Sequence, residues 1–559
     1  MRPRTFKASA IVLAALLVGA CGGGGGGGGE GGAERSVLRM GTTAGIDSMN
    51  PFVGINEDGF SVWTHIYPTL LQYDTADPEL PYIPGLAQEW ELAEDGLSLT
   101  FTLREGAQWS DGTPLDAEAV RWSFDVFHRF NESAAAGWSI GSNITEISAP
   151  DARTLHLTFA EPSALSIYDM ATTPILPRQV WEEHAGGDGS GLTAFDNLPP
   201  AGGQMVAGGP FILTEYRPAE RAVFARNPNW YGTQPAIDGF GLETFRAADA
   251  LVNALASGNL DAAYGVPPTA LPTLEKADVT IHTGPALVLR DLLINSNPDK
   301  PEHRELLDPQ VRLALELAID RAEIVETAWV GMATPGDSVL PPATSTGGVS
   351  WYNEDLVTVG HDVAKANRVL DAAGYARGTD GVRLADGNRM EYEVVFADDE
   401  SGPGDRAFQI IKENLAEVGI TVTQRKLDSS ATWDAIYCGA DCAYRDFDLA
   451  MWNWHPGLDP NFLMASLTCD QWGSWNDVGY CDPEFDQMVR QQRMEVDVEA
   501  RKEILDEMQQ KIYDERPYII LTYDERIDVW SDDWEGFVPS PQGFFNNRST
   551  QTLESVRRK

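Results

Sequence analysis

Eight consecutive glycines, Gly22–Gly29, cut the chain into a short leader and a long body. Glycine has no side chain to bury and loses the most conformational freedom on ordering, so such a run is a flexible coil and cannot join a core. Roughly 520 residues lie beyond it, more than one hydrophobic core usually supports, so two or three domains are expected. A hydrophobic content of 43% says that these domains fold. No later segment approaches the roughly 20 consecutive apolar residues that a membrane helix needs.

Before the glycines stand Arg2, Arg4 and Lys7, the apolar run Ile11–Val18, and Val18-Gly19-Ala20-Cys21. A basic start, a short apolar stretch and small residues before a cysteine mark an export signal. The ending resembles a bacterial lipobox, whose cysteine is lipidated and becomes the first mature residue. That resemblance implies a signal peptide over 1–20, lipidation at Cys21, and a tether over 21–35 holding the body off the outer face of the cytoplasmic membrane. The plainer alternative is a secretory signal cleaved beside Cys21, with a periplasmic or otherwise exported product.

The formal charge is -43, and removing Arg2, Arg4 and Lys7 takes it to -46. Phosphate binding needs a basic face, so nucleic acid and anionic lipid are poor partners. Lysine is absent between Lys7 and Lys276 while arginine is common, which reads as adaptation of a solvated surface, salt included. Beyond Cys21 the cysteines are Cys438, Cys442, Cys469 and Cys481. In an oxidising compartment they read as disulfides, with local pairing, Cys438–Cys442 and Cys469–Cys481, expected first. A four-thiolate zinc site is the rival, but the eleven residues between Cys469 and Cys481 exceed the usual ligand spacing.

Along the body, Val37–Gly41 reads as a strand, and Phe60–Tyr73 carries Val62, Ile66, Leu70 and Leu71 at helical spacing. Leu97–Leu103 alternates apolar and polar residues after the turn Glu94-Asp95-Gly96, which reads as a hairpin with one buried face. Asp116 is placed to cap a helix carrying Val120, Phe124 and Phe127. Asp308-Pro309 opens the clearest helix, with Val311, Leu315, Ala318 and Ile319 on one face. Ile410–Val418 leads into strand Thr421–Gln424, and Glu503–Tyr513, with Ile504, Met508 and Ile512 aligned, precedes strand Tyr518–Tyr523. Strands alternating with helices make an α/β protein.

Catalytic motifs fare poorly. Gly137-Trp138-Ser139-Ile140-Gly141 fits G-x-S-x-G, but no buried strand precedes the serine as that nucleophile turn requires. No two of the eight histidines stand at metal-binding i, i+4 spacing, and no phosphate-cradling loop is present. No nucleophile or base is nominated, and the chain reads as no enzyme.

Several longer runs carry a resemblance. They are Leu86-Ala87-Gln88-Glu89-Trp90, then Phe101 to Leu115 (FTLREGAQWSDGTPL), Gly208-Gly209-Pro210-Phe211, Arg226-Asn227-Pro228-Asn229-Trp230-Tyr231, Ser257-Gly258-Asn259-Leu260-Asp261 and Val311-Arg312-Leu313-Ala314 through Ile319-Asp320-Arg321. Together they resemble the family 5 extracellular solute-binding proteins, which serve peptide, nickel and related ABC importers. The resemblance implies a two-lobed periplasmic-binding-protein fold with crossing strands and a third domain inserted in the first lobe. Lobe one is expected at 36–72, 205–288 and 528–559, the insert at 73–204 and lobe two at 289–527, with crossings near Leu287–Ile294 and Ile519–Asp528. It also implies capture of a solute, oligopeptide first, and its delivery to ABC permease subunits by a monomer without cofactor or metal. Trp109, Gly112 and Pro114 are expected to build a turn and a core contact.

The resemblance further places the ligand cleft along Met451-Trp452-Asn453-Trp454-His455-Pro456-Gly457-Leu458-Asp459-Pro460. Peptide-binding members carry an aspartate three residues before the acid-proline pair, where it meets the ligand's ammonium; Pro456 stands there. Asp459 could substitute through a shifted loop, or the ligand could lack an ammonium, which favours an oligosaccharide or another non-peptide solute. Trp433, Trp452, Trp454, Trp472 and Trp475 suit stacking, with core packing the even alternative. Expected ligand contacts are Trp433, Trp452, Asn453, Trp454, His455 and Asp459 from lobe two, and Ile55, Asn56 and Glu57 from lobe one. A secreted hydrolase is the competing class.

Overall fold

Strands that bury both faces give a sheet covered on both sides. The computed structural model describes residues 36–130, 143–201, 203–397, 403–437, 442–545 and 549–559. Among these a mixed eleven-stranded sheet runs in the order Thr421–Leu427, Glu391–Ala397, Leu449–Trp454, Val279–Ile294, Tyr518–Ser531, Ala262–Ala263, Val37–Thr42, Gly239–Thr244, Arg221–Arg226 and Phe211–Arg217. Ala333–Pro335 joins off this path, against Tyr518–Ser531.

Two long antiparallel strands join the halves of that sheet. Val279–Ile294 and Tyr518–Ser531 pair from Val279↔Ser531 to Leu293↔Tyr518. One end takes Leu449–Trp454 as neighbour through Leu289–Ile294, and the other takes Ala262–Ala263 through Val529 and Trp530. These are the crossing strands, longer than the sequence suggested. Register shifts fall between Pro285 and Leu289 and between Arg290 and Asp291. Proline has no N–H to donate, so the ladder breaks after Pro285 and the strand can bend there.

Period-two alternation sorts the side chains on the 289–527 side into two cores. Leu292, Ile294, Val394, Phe396, Leu449, Met451, Ile519 and Leu521 pack with Val311, Leu315, Phe408 and Ile411 of the helices Pro309–Ala318 and Pro403–Glu417. Leu289, Leu293, Val395, Ala450, Trp454 and Ile520 face the other way, onto Leu505, Met508 and Ile512 of the helix Val498–Glu515. The Asp308 carboxylate accepts the Gln310 N–H at 2.8 Å, so the expected cap and apolar face of Pro309–Ala318 are both present.

The hairpin also forms. Ala87–Leu92 and Ser98–Leu103 pair around Gly96 and continue through Thr154–Phe159 to Ile144–Ser148 in a separate four-stranded antiparallel sheet. Leu99, Phe101 and Leu103 are buried in one core with Val62, Ile66, Phe211 and Phe240, so this small sheet packs into the 36–288 side. Trp109 is buried there too, and its carbonyl accepts the Gly112 N–H at 2.9 Å, which makes the expected turn.

Two readings change. The helix expected over Phe60–Tyr73 spans Glu57–Ile66, because Tyr67 precedes Pro68 and is extended, as residues before proline are; Leu70 and Leu71 pass instead toward the strand Leu71–Tyr73. The helix read as Glu503–Tyr513 runs Val498–Glu515, with Asp497 capping it; Ile504 packs half-buried on the same core as Met508 and Ile512, and Leu505 is buried beside them. Cys469 and Cys481 form the expected disulfide. Cys442 is disulfide-bonded as well, while its expected partner Cys438 lies outside the described residues, as do Ser139 and its motif.

The Cys469–Cys481 bridge closes a loop of sequence separation 12 that carries Trp472, Trp475 and Asp477. In the chain-entropy account such closure contributes roughly 3 kcal/mol. A Cys469→Ser/Cys481→Ser double variant is expected to lose about 2–3 kcal/mol in denaturant titration; an unmoved midpoint would contradict the assignment.

Candidate ligand-binding site

Trp452 and Trp454 are two apart on the strand Leu449–Trp454, so they share one face of the sheet. Trp433 and Tyr437 are four apart at the end of the helix Ser429–Ile436, which also aligns them, and their rings stack at 4.2 Å. Trp433 lies 6.2 Å from Trp452 and 6.4 Å from Trp475, Trp454 lies 6.5 Å from Trp475, and Phe462 lies 5.3 Å from Trp475. Trp454 is only 6% exposed, whereas Trp433 and Phe462 are 40% and 41% exposed. The result is an aromatic group with a buried floor and open walls. Four expected tryptophans meet in it. Trp472 does not: the Arg445 guanidinium covers its ring at 4.3 Å, and its Nε1 donates to the Cys442 carbonyl at 3.2 Å.

Below the floor lies Asp477, fully buried. Its carboxylate accepts from the Tyr518 hydroxyl, from Trp454 Nε1 at 3.1 Å and from the Tyr437 hydroxyl at 3.4 Å. Burial pushes its pKa up to about 6. Tyr437, Phe462 and Asp477 were absent from the sequence reading. The i, i+4 spacing of Trp433 and Tyr437 was a usable signal, whereas the pairing of Asp477 with Tyr518 spans 41 residues and left none.

The loop leaving the strand turns at Gly457, whose φ of 79° is left-handed. Asp459, expected as a polar contact to ligand, is 3% exposed, and its two oxygens accept from Arg501 Nη1 and Nη2 at 2.9 and 2.8 Å. It also caps the Asn461 N–H at 2.9 Å, and Arg501 packs on the Trp351 ring at 4.8 Å. Asp459 therefore fixes the loop, and the idea that it replaces the acid missing at Pro456 meets a carboxylate already paired.

Across from this loop is the start of the helix Glu57–Ile66. Asp47 Oδ2 accepts the Ile55 and Asn56 N–H groups at 2.6 and 3.2 Å, which shapes the turn and leaves Ile55 exposed. Glu57 Oε1 stands 4.0 Å from His455 Nε2 and 3.7 Å from Arg526 Nη1. Arg526 lies on the crossing strand Tyr518–Ser531, over the Tyr264 ring at 5.7 Å, with its Nε 3.2 Å from Asp528 Oδ1. Asp58 is buried, accepts the Tyr264 hydroxyl at 3.0 Å, and has its pKa pushed up to about 6 by burial and by Glu57. Glu57 and His455, both expected from sequence, are thus brought face to face from stretches nearly 400 residues apart, with the crossing strand beside them. Asn453 is half-buried on the strand, paired in register with Arg290. Among the described residues no three His, Cys, Asp or Glu side chains gather as metal ligands.

A family model described as "Bacterial extracellular solute-binding proteins, family 5 Middle" matches residues 81–474. Protein XP55 of Streptomyces lividans is 29% identical over 97% of this chain and 94% of its own length. Di/tripeptide-binding protein 2 of Pseudomonas aeruginosa is 24% identical over 97% and 98%. The fold matches that of the oligopeptide-binding protein AppA from Bacillus subtilis, solved in complex with a nonapeptide, with a TM-score of 0.75, 19% identity, and coverage of 94% of this chain and 99% of that one.

An acid whose native pKa exceeds its unfolded value is protonated first in the folded state, so its cost is absent below about pH 4 and complete above about pH 6. The stability of the parent relative to Asp477→Asn is expected to fall by roughly 3 kcal/mol as pH rises through that window. A difference that stays flat from pH 4 to 7 would contradict the burial argument.

Proposed function

The chain belongs to the bacterial extracellular solute-binding proteins of family 5, and we propose that it captures oligopeptides between its lobes and delivers them to the membrane permease of an ABC importer. The observation that carries the reading is the meeting of Glu57 and His455 beside the open aromatic group. A peptide laid between these walls finds aromatic faces for its side chains and polar groups on both sides. Contacts to both walls exist only when the lobes are closed, so binding shifts the population toward closure. The crossing strands supply the bend. Lobe one comprises 36–72, 205–288 and 528–559, the insert 73–204, and lobe two 289–527. The peptide class is supported by the di/tripeptide-binding relative and the nonapeptide complex of the structural neighbour.

The body is exported and held at the membrane through lipid on Cys21, acting as a monomer with no catalytic step of its own. A second reading, an oligosaccharide or other non-peptide solute, draws on Pro456 and on the exposed faces of Trp433 and Phe462, which suit a sugar ring as well as a side chain.

Mass spectrometry of the ligand released from natively purified protein tests the class: peptides are expected, and a saccharide selects the second reading. With that ligand, Trp433→Ala and Trp452→Ala are each expected to weaken binding by about 2–4 kcal/mol, thirty- to several-hundred-fold by calorimetry. If both bind as the parent does, the site lies elsewhere. Substituting Cys21→Ser is expected to move the body from the detergent phase to the aqueous one on Triton X-114 partitioning; unchanged partitioning would remove the anchor from the account.

A further inference from the structure

We infer that the insert 73–204 is a clasp, gripping a hairpin of lobe two and thereby setting how much of the ligand-free protein stands closed. The inference rests on the lobe division proposed above and goes beyond it by giving the insert a task. Ser345–Thr346 and Val349–Ser350 pair as a hairpin whose two-residue loop is Gly347-Gly348. Both glycines have positive φ, 64° and 89°, as such tight loops require. The loop gives its two N–H groups to the insert: Gly347 N–H donates to the Leu80 carbonyl at 3.0 Å and Gly348 N–H to the Glu79 carbonyl at 2.9 Å. Leu80 is itself left-handed at φ 50° and 1% exposed, a strained state that persists only where the surroundings hold it. Behind the loop the Thr346 hydroxyl lies 3.1 Å from that of Tyr73, and Thr344, Ser345 and Thr346 are all buried.

These contacts close over the bend of the crossing strands. Tyr73 and Leu80 of the insert share one small core with Ala343 and Leu458 of lobe two and with Leu287, which lies between the two register shifts of Val279–Ile294. A rotation of lobe two about that bend drags the hairpin across Tyr73 and Leu80. A second contact spans the same gap: Ala164 N–H donates to the Arg493 carbonyl at 2.8 Å, with Val496 beside Gly96 and Pro162. When the lobes part, water takes the place of each of these three backbone partners, so each bond adds only a modest net gain. Such a grip can be released, whereas domains that never separate share a large apolar interface. Leu458 ties the grip to the candidate site, because it stands in the loop between Gly457 and the anchored Asp459. Ligand held by both walls binds the closed arrangement, so its apparent affinity scales with the closed fraction, and residues that touch no ligand tune it.

A methyl group at Gly347 would stand 2.8 Å from Tyr82 Cε2, in a ring held 5.0 Å from that of Tyr73, whereas one at Gly348 meets nothing within 4 Å. Gly347→Ala therefore forces the clasp open, and Gly348→Ala strains the backbone in the same way without the collision. Both are compared with the parent by hydrogen–deuterium exchange, on protein stripped of ligand by reversible unfolding. Gly347→Ala is expected to speed exchange about tenfold at 79–82 and, across the second contact, at 163–165 and 493–498, while Ser98–Leu103 inside the insert stays protected. Gly348→Ala is expected to stay within about twofold of the parent at 163–165 and 493–498. Where Gly347→Ala also exposes Ser98–Leu103, Thr346→Val, which removes only the hydroxyl contact with Tyr73, is read in its place by the same criteria. A pool of three- to five-residue peptides with free termini, quantified by mass spectrometry, is expected to be retained at least about fivefold less by Gly347→Ala than by the parent. Acceleration confined to 343–350, or equal effects of the two glycine substitutions at the second contact, overturns the inference and leaves peptide capture standing. Retention of no peptide by the parent overturns the peptide reading alone, and the exchange data still decide the clasp.

Discussion

The pairing of Val279–Ile294 with Tyr518–Ser531 is the constraint on which the rest of this structure depends. Thr421–Leu427, Glu391–Ala397 and Leu449–Trp454 join the large sheet at one end of that pair, and Ala262–Ala263, Val37–Thr42 and their neighbours join it at the other. Backbone hydrogen bonds make the junction continuous, while the register shifts after Pro285 and at Arg290 make it the place where the sheet can bend. A protein that grips a solute between two bodies needs both properties. The crossing strand also carries Arg526, which puts a basic group against the acid-rich start of the helix Glu57–Ile66.

Around that junction, charges removed from solvent fix the loops of the candidate site. The Asp459–Arg501 pair ties the turn after Trp454 to the helix Val498–Glu515, and Gln492 holds Arg501 from the neighbouring helix Pro483–Met494. Breaking one member of such a pair strands the other, at a typical cost of about 3–5 kcal/mol. Asp477 does similar work beneath the aromatic floor through its hydrogen bonds from Tyr518, Trp454 and Tyr437, and its raised pKa records the cost of burial. On a molecule this acidic the external charge keeps the body solvated, whereas these few internal groups decide where the loops stand.

Much of the scaffold was legible in the sequence because it is locally encoded. The hairpin around Gly96, the Asp116 and Asp308 caps and the apolar face of Pro309–Ala318 follow from periodicity and turn chemistry within a dozen residues. The end of the first helix was missed although Tyr67-Pro68 announced it, since the apolar spacing continued past the break. At the candidate site, the tryptophans of the 452–454 segment were legible in the sequence, and the structure brings them together with Trp433 and Trp475. The role of Asp459 was hidden because its partner Arg501 is 42 residues away, and that of Asp477 because burial, rather than any motif, sets its state. Pairings of that length are settled by packing and leave no local pattern.

The central claim is that one ligand is held by both walls, with 53–60 on one side and 449–460 on the other. Hydrogen–deuterium exchange of the stripped protein, with and without the ligand eluted from native material, tests it most directly. Ligand is expected to slow exchange in peptides covering both segments and in the crossing strands near Pro285 and Asp524. Protection of only one wall, or of neither, would contradict it.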